Sequence, residues 1–168
     1  MHRMAMQYAD EYYLPAHRRH LQLQASDAAH ARNLAAWCTR VESAWPRLQV
    51  RSVSNCQGEV NLGNEIQISA QVFLDCLKPE DVSVQIISGN VGVNGEIKDP
   101  EITVMNTYET ESAGCYRFRG SLHTEKSGFL GYTLRILPNH PQAVTPLMPL
   151  LITWAPESSV HTPELALK

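Results

Sequence analysis

The feature that most constrains this chain is a run of alternating side chains between positions 115 and 137. On either side of the turn H-T-E-K-S-G, apolar residues recur at every second position, with arginines among the residues between them. A period of two is typical of half-buried strands, so the stretch predicts two antiparallel strands with one face on a core. The residues predicted to face that core are Tyr116, Phe118, Leu122, Tyr132, Leu134 and Ile136.

Tyr132 has two interpretations that the sequence leaves open. It enters the second strand directly after Gly131, as does the tyrosine corner of Greek-key sandwiches, whose hydroxyl bonds back to upstream backbone. It is equally well explained as an ordinary core tyrosine. Both interpretations fit a β-sandwich, and neither carries chemistry.

From Leu48 onward the chain consists of short alternating segments separated by turn residues. The clearest is E-I-Q-I-S-A-Q-V-F-L, and V-S-V-Q-I-I follows it. The stretch 88–95 is interpreted as a connection, 97–105 as a strand broken at Asp99-Pro100, and 107–114 as an acidic loop. About seven short strands with no helical pattern between them favour a mainly β fold, an Ig-like antiparallel β-sandwich.

The N-terminal part has a helical period instead. Residues 1–14 are predicted to form one helix that Pro15 ends. Residues 16–45 are predicted to form a second helical region, which contains an N-cap at Ser26-Asp27 and stops at Pro46. We therefore divide the chain into a helical segment at 1–46, a sandwich domain at 47–156 and a loose tail at 157–168.

The first helix carries an aromatic stripe, which is unusual for a chain terminus. We predict that this stripe is a docking face for another surface, either a separate body or a second copy of the chain. Its residues are Met4, Tyr8, Tyr12 and Tyr13.

Composition and motifs exclude several classes of function. No apolar run approaches the roughly 18 residues of a membrane span, and a net charge of −3 does not favour nucleic acid or an anionic membrane. His17, His20 and His30 lack neighbouring ligands at metal spacing. No catalytic, cofactor-binding or metal-binding residues are predicted, because phosphate-binding, nucleophile-elbow and zinc motifs are absent. The cysteines, which are predicted to be free thiols in a reducing cytoplasm, are Cys38, Cys56, Cys76 and Cys115.

The order of several segments resembles the C-terminal end of the long bacterial type of α-glucan (glycogen/maltodextrin) phosphorylase. The segments are R-M-A-M-Q-Y-A-D-E-Y-Y-L-P-A at 3–16, A-A-W-C-T-R-V-E-S-A-W-P at 35–46, L-K-P-E-D-V-S-V-Q-I-I at 77–87, G-E-I-K-D-P-E at 95–101, S-G-F-L-G-Y-T-L-R-I-L-P-N-H-P at 127–141 and P-L-M-P-L-L-I-T-W-A at 146–155.

This resemblance implies a non-catalytic C-terminal accessory domain of an enzyme, a glycosyltransferase of carbohydrate metabolism. That enzyme uses pyridoxal phosphate to release glucose 1-phosphate from α-1,4-glucan. The cofactor lysine and the substrate sites would lie upstream of the matched segments, so this chain alone would be no enzyme and would bind no cofactor. Its implied partners are the phosphorylase catalytic body and α-glucan.

Two alternatives remain. One is a free-standing Ig-like module that binds a carbohydrate or a protein, with Tyr108 and Phe129 as the aromatic candidates for sugar contact. The other is an interaction protein whose helix at 1–14 docks on a separate partner.

Overall fold

The computed structural model describes residues 2–55, 65–92, 95–123, 130–143, 148 and 150–156. The chain divides into two compact units, Met1–Arg40 and Val41–Lys168. The first unit is helical: α1 spans His2–Tyr8, a π-helical turn spans Ala9–Tyr13, and α2 spans Leu14–Ala44, whose last turn belongs to the second unit. No described helix is long and apolar enough to cross a membrane.

Pro15 does not end the first helix, so that prediction is wrong. A proline inside a regular α-helix removes one hydrogen bond, and its ring collides with a carbonyl in the preceding turn. Here the turn before Pro15 is π-helical, and the N–H of Leu14 donates to the carbonyl oxygen of Ala9. The wider turn shifts the backbone register, which lets the helix continue through the proline.

The predicted boundary at Ser26-Asp27 does coincide with a break. Ala25 is extended, and the next three residues have positive φ values of 55°, 55° and 56°. Three consecutive non-glycine residues in the left-handed region cannot continue a right-handed helix. α2 is therefore two helical segments joined by a kink at Ala25–Ala28.

The second unit contains eight described strands in two antiparallel sheets. Sheet 1 has the order β1-β2-β6-β5, and sheet 2 has the order β4-β3-β7-β8. The strands are β1 Gln49–Asn55, β2 Glu65–Phe73, β3 Val82–Val91, β4 Ile97–Val104, β5 Asn106–Ser112, β6 Cys115–His123, β7 Leu130–Pro138 and β8 Thr153–Trp154. Short 3-10 turns cover Trp45–Arg47 and Pro79–Asp81.

The alternating residues form the core, as the sequence predicts. In β2 every second residue from Ile66 to Val72 is buried, and in β7 Tyr132 is only 1% exposed. The interpretation of Tyr132 as a core tyrosine is confirmed, and the tyrosine corner stays a prediction. The two sheets meet at Gly120 of β6, where an added Cβ would lie 2.8 Å from Cδ1 of Ile86 in β3.

The two strands of the opening stretch do not pair with each other. β6 lies between β2 and β5 in sheet 1, whereas β7 lies between β3 and β8 in sheet 2. The chain therefore passes from one sheet to the other between them. Alternation identifies strands with one buried face, but it carries no information about which strand is the neighbour.

Three segments expected to be irregular are strands. Residues 106–112 form the edge strand β5, and residues 88–91 extend β3. Asp99-Pro100 does not break β4. Instead, Ser88 pairs with Glu101 and Asn90 with Lys98, so two β4 residues oppose Gly89 in a bulge. An added Cβ at Gly89 would lie 2.4 Å from the carbonyl oxygen of Lys98, which explains the glycine.

The mainly β fold with an N-terminal helical segment is thus confirmed, and its two sheets enclose one core. The finer assignment as Ig-like stays a prediction. The predicted tail at 157–168 lies outside the described residues.

Candidate functional site

The predicted docking stripe is exposed. Met4, Tyr8 and Tyr12 are 61%, 50% and 60% accessible, although a buried position would be worth roughly 1.5–3 kcal/mol for a large apolar side chain. The rings of Tyr8 and Tyr12 lie 5.7 Å apart in a tilted arrangement. The same three residues line a concavity of about 170 Å³ together with Gln7 and Glu11.

Tyr13 is the most exposed of the four predicted docking residues, at 70%. It does not line the concavity formed by Met4, Tyr8 and Tyr12. The structure therefore brings three of the four residues together and leaves Tyr13 beside them. We refer below to Met4, Tyr8 and Tyr12 as the aromatic stripe.

The second unit contains a groove of about 610 Å³ that was not predicted from the sequence. It opens where the chain leaves sheet 2 after β4 and enters sheet 1 as β5, both of which are edge strands. The turn Pro79–Asp81 forms one rim, which is fixed by a hydrogen bond from the backbone N–H of Asn139 to the carbonyl oxygen of Asp81 at 2.8 Å. We refer to this feature as the corner groove.

Most side chains of the corner groove are neutral. Its apolar part includes Met105 and Phe118, which are 4% and 2% exposed. Lys78 and Glu80 bring opposite charges to the rim, so the groove has little net charge. The neutral polar residues that line it include Ser83, Asn106, Thr107, Thr110, Tyr116 and Asn139.

A second unpredicted surface is the outer face of sheet 2. Arg135 of β7 lies opposite Trp154 of β8 and Gln85 of β3, and Gln85 lies opposite Val104 of β4. Residues directly opposite in antiparallel strands project to the same face. This row therefore places Trp154 and Val104, which are 50% and 55% exposed, on one surface. Nε of Arg135 donates to Oε1 of Gln85 at 2.9 Å in the middle of the row.

The outer face of sheet 1 has a different character. Arg117 of β6 makes ion pairs with Glu109, at 3.3 Å, and with Glu111 of the neighbouring β5. Gln71 of β2 also donates to the Glu111 carboxylate. This charged network is partly exposed and typical of an outward sheet face, whereas the exposed Val104 and Trp154 on the outer face of sheet 2 are typical of an interface.

At one end of sheet 1, an ion pair with two hydrogen bonds joins the turn before β1 to the turn after β2. Nε and Nη2 of Arg47 donate to Oδ2 of Asp75 at 3.0 and 2.8 Å. These hydrogen bonds are the main reason that the pKa of the Asp75 carboxyl lies below its usual value, and they raise the pKa of Arg47. Asp75 holds a φ of 55° in the turn after β2, so the pair fixes a strained turn.

The described residues contain no group of three or more His, Cys, Asp or Glu side chains that could hold a metal ion. Among the described cysteines, Cys38, Cys76 and Cys115 are not in disulfides. Phe129, the side chain of Tyr108 and Cys56 lie outside the described residues.

The sequence did contain a signal for the outer face of sheet 2. Ile102 and Val104 share one parity in β4, and Ile152 and Trp154 share one parity at β8 and the residue before it. Apolar residues at solvent-facing positions of edge strands are uncommon, because one face of such a strand is normally polar. No comparable signal marks the corner groove, since its lining comes from separate segments.

Comparison with known proteins gives one family. Residues 45–156 match the model of the glycogen phosphorylase C-terminal domain. The glycogen phosphorylase of Mycobacterium tuberculosis (strain H37Rv) is 32% identical over 141 residues, which cover 83% of this chain and 16% of that protein. The maltodextrin phosphorylase of Thermococcus litoralis is 24% identical over 156 residues, or 91% of this chain and 18% of that protein. The chain therefore spans less than a fifth of the length of these relatives. No solved structure matches the chain.

Proposed function

This chain belongs to the family of glycogen phosphorylase C-terminal domains, and we propose that it acts as a non-catalytic accessory domain of an α-glucan phosphorylase. The parent activity is the pyridoxal phosphate-dependent phosphorolysis of α-1,4-glucan to glucose 1-phosphate. The observation that carries this proposal is the family match over residues 45–156, which covers the β-sheet unit and leaves more than four fifths of each relative unmatched.

The lysines support the non-catalytic role. A lysine that forms a Schiff base with pyridoxal phosphate needs a desolvated setting that lowers its pKa. The described lysines, Lys78 and Lys98, are exposed, one before the turn Pro79–Asp81 and one on the edge strand β4. These residues do not fit the cofactor, and we place its site in the remainder of the parent enzyme.

The aromatic stripe supports docking on the phosphorylase catalytic body or on a second copy. Its side chains gain hydrophobic stabilisation only when another surface covers them. The same proposal places the chain in the cytoplasm, where the thiols of the described cysteines would stay reduced.

The first experiment tests the non-catalytic role. The purified 168-residue chain is mixed with pyridoxal phosphate, maltodextrin and inorganic phosphate. We expect no absorbance band of a lysine-bound cofactor and no glucose 1-phosphate. Phosphate-dependent release of glucose 1-phosphate by the chain would contradict the proposal.

The second experiment tests docking. The chain is titrated against the Mycobacterium tuberculosis glycogen phosphorylase shortened by the region that the chain matches. We expect association that Tyr8→Glu/Tyr12→Glu weakens at least tenfold. The matched control is Leu14→Glu/Leu21→Glu, which adds the same two charges at exposed apolar positions of the same unit, 45% and 53% accessible. Equal loss in both variants would mean that charge alone, and not the aromatic stripe, decides association.

A free-standing carbohydrate- or protein-binding module is the second candidate function. The corner groove favours carbohydrate binding, and the apolar outer face of sheet 2 favours protein binding. Failure of the chain to bind the shortened phosphorylase, together with specific binding of another ligand, would favour this candidate.

A further inference from the structure

We propose that the corner groove is a binding site for a neutral oligosaccharide and that its ligand is a linear α-1,4-linked glucan. The groove chemistry alone supports the oligosaccharide, while the choice of an α-1,4-glucan rests on the proposed function. The site would hold a glucan chain and would not contribute to its cleavage.

The groove exists because the two sheets do not cover each other completely at this corner. In β6, the residues Tyr116 and Phe118 share the parity that faces sheet 2, and Phe118 is buried. Their partners in the edge strand β5 are Thr110 and Thr107, which project to the same side but remain exposed. Thr107 and Thr110 therefore face the side on which sheet 2 lies, but no described strand of sheet 2 covers them.

The inward-facing positions of this corner carry hydroxyl groups that lie close enough together to contact one ligand. Thr110 lies directly opposite Tyr116, and side chains of such cross-strand pairs have Cβ atoms about 4.5–5.5 Å apart. Within the described residues, no hydrogen bond engages the side chains of Asn106, Thr107, Thr110 or Tyr116. Their donors and acceptors are therefore open to a ligand that enters the groove.

The combination of groups selects for a sugar. Binding sites for small ligands combine an apolar lining with a few polar groups that fix orientation. A pyranose ring offers a C–H face to apolar and aromatic side chains such as Met105 and Tyr116, and it offers hydroxyl groups to threonine and asparagine. Lys78 and Glu80 contribute opposite charges at one rim, so no net charge attracts an ionic ligand. A volume of about 610 Å³ lies within the usual range of ligand sites, about 300–1,000 Å³.

The test is calorimetric titration of the full chain with maltohexaose and, separately, with cellohexaose, which has the same residues in β-linkage. We expect saturable binding of maltohexaose and at least tenfold weaker binding of cellohexaose. Tyr116→Ala removes the ring and should lower the affinity for maltohexaose about tenfold or more. Thr110→Val removes one hydroxyl group at nearly constant shape and should lower the affinity for maltohexaose about threefold to tenfold.

Two control variants remove comparable groups elsewhere. Thr133→Val alters a threonine on the outer face of sheet 2, and Leu21→Ala truncates an exposed apolar side chain of the helical unit. Both should leave the affinity for maltohexaose within about twofold of the unmodified chain, a change of about 0.4 kcal/mol. Far-UV circular dichroism and thermal unfolding show whether each variant is folded. Should Tyr116→Ala fail to fold, Thr110→Val and Thr107→Val carry the test.

Each outcome decides the proposal. Selective loss in the Tyr116 and Thr110 variants supports the groove site, whether or not the chain binds the shortened phosphorylase. Unchanged affinity in those folded variants, or an equal loss in the control variants Thr133→Val and Leu21→Ala, overturns the groove site. Equal affinity for both sugars overturns the α-1,4-glucan assignment. Absence of maltohexaose binding to a chain that still binds the shortened phosphorylase overturns the groove site and leaves the accessory function standing.

Discussion

Substitution of Gly120 tests the contact between the two sheets directly. An added Cβ at Gly120 would lie 2.8 Å from Cδ1 of Ile86 and 3.0 Å from Cγ of Met105. Overpacking a core by one methyl group costs about 1–3 kcal/mol. Loss of glycine flexibility in the unfolded chain returns about 0.4–1 kcal/mol. We therefore expect Gly120→Ala to lower the free energy of unfolding by about 0.5–2 kcal/mol.

A second substitution distinguishes this collision from a general effect of alanine in a strand. Ile86→Val removes Cδ1, the atom nearest to the added methyl group, and costs about 0.5–1.5 kcal/mol alone. In the double variant the new methyl group occupies the space that Cδ1 vacates. The double variant should therefore be at least about 1 kcal/mol more stable than the sum of the single effects predicts, since substitutions in direct contact are not additive.

The assay is urea unfolding followed by circular dichroism, with the slope of the transition compared among all variants. The control is Ile136→Val in β7, which truncates another fully buried isoleucine. Its effect should add to that of Gly120→Ala within about 0.3–0.5 kcal/mol. If the effect of Ile86→Val on the free energy of unfolding also added to that of Gly120→Ala, the reasoning would be refuted. That result would mean that the side chain of Ile86 does not contact β6 at Gly120.

Three further predictions concern a charge, a surface and the thiols. The low pKa of Asp75 means that its contribution to stability is present above the pKa of the unfolded carboxyl and is lost as the pH falls through the folded pKa. Urea unfolding should therefore show a larger loss of stability below about pH 4 in the unmodified chain than in Asp75→Asn, and equal losses would contradict this. Self-association through the aromatic stripe should make the chain dimeric in sedimentation, and Tyr8→Glu/Tyr12→Glu should make it monomeric; a dimer that persists would place the interface elsewhere. Reductant should leave the melting temperature unchanged, whereas a fall of several degrees would reveal a disulfide, worth about 2–4 kcal/mol.

The sequence was informative wherever one face of a strand is buried and the other is solvated. β2 and β7 were predicted correctly because burial on one side forces apolar residues to every second position. The same rule explains why strand pairing could not be predicted. The alternation in β6 and β7 would be identical for a hairpin and for two strands in opposite sheets, so only the three-dimensional structure separates them.

The edge strand β5 was missed for a related reason. Its sequence, N-T-Y-E-T-E-S, carries no apolar period because Glu109 and Glu111 belong to the charged network and the inward-facing Thr107 and Thr110 are uncovered. A polar strand without a period is indistinguishable from a loop in sequence. The corner groove was hidden by the same property, since the residues that line it are polar on the side where a core strand would be apolar.

The last prediction asks whether folding requires those threonines. Thr107 and Thr110 are exposed, and valine matches threonine in shape and has a high strand propensity. No described hydrogen bond engages their hydroxyl groups, so Thr107→Val/Thr110→Val should change the free energy of unfolding by less than about 0.5 kcal/mol, as exposed substitutions usually do. Urea unfolding measures this change, with Thr133→Val as the control on the other sheet. A loss of more than about 1 kcal/mol would show that the hydroxyl groups stabilise the fold, since it exceeds the usual effect of surface substitutions. An unchanged stability together with weaker binding of maltohexaose would mean that the polar residues of this edge strand serve the ligand and not the sandwich.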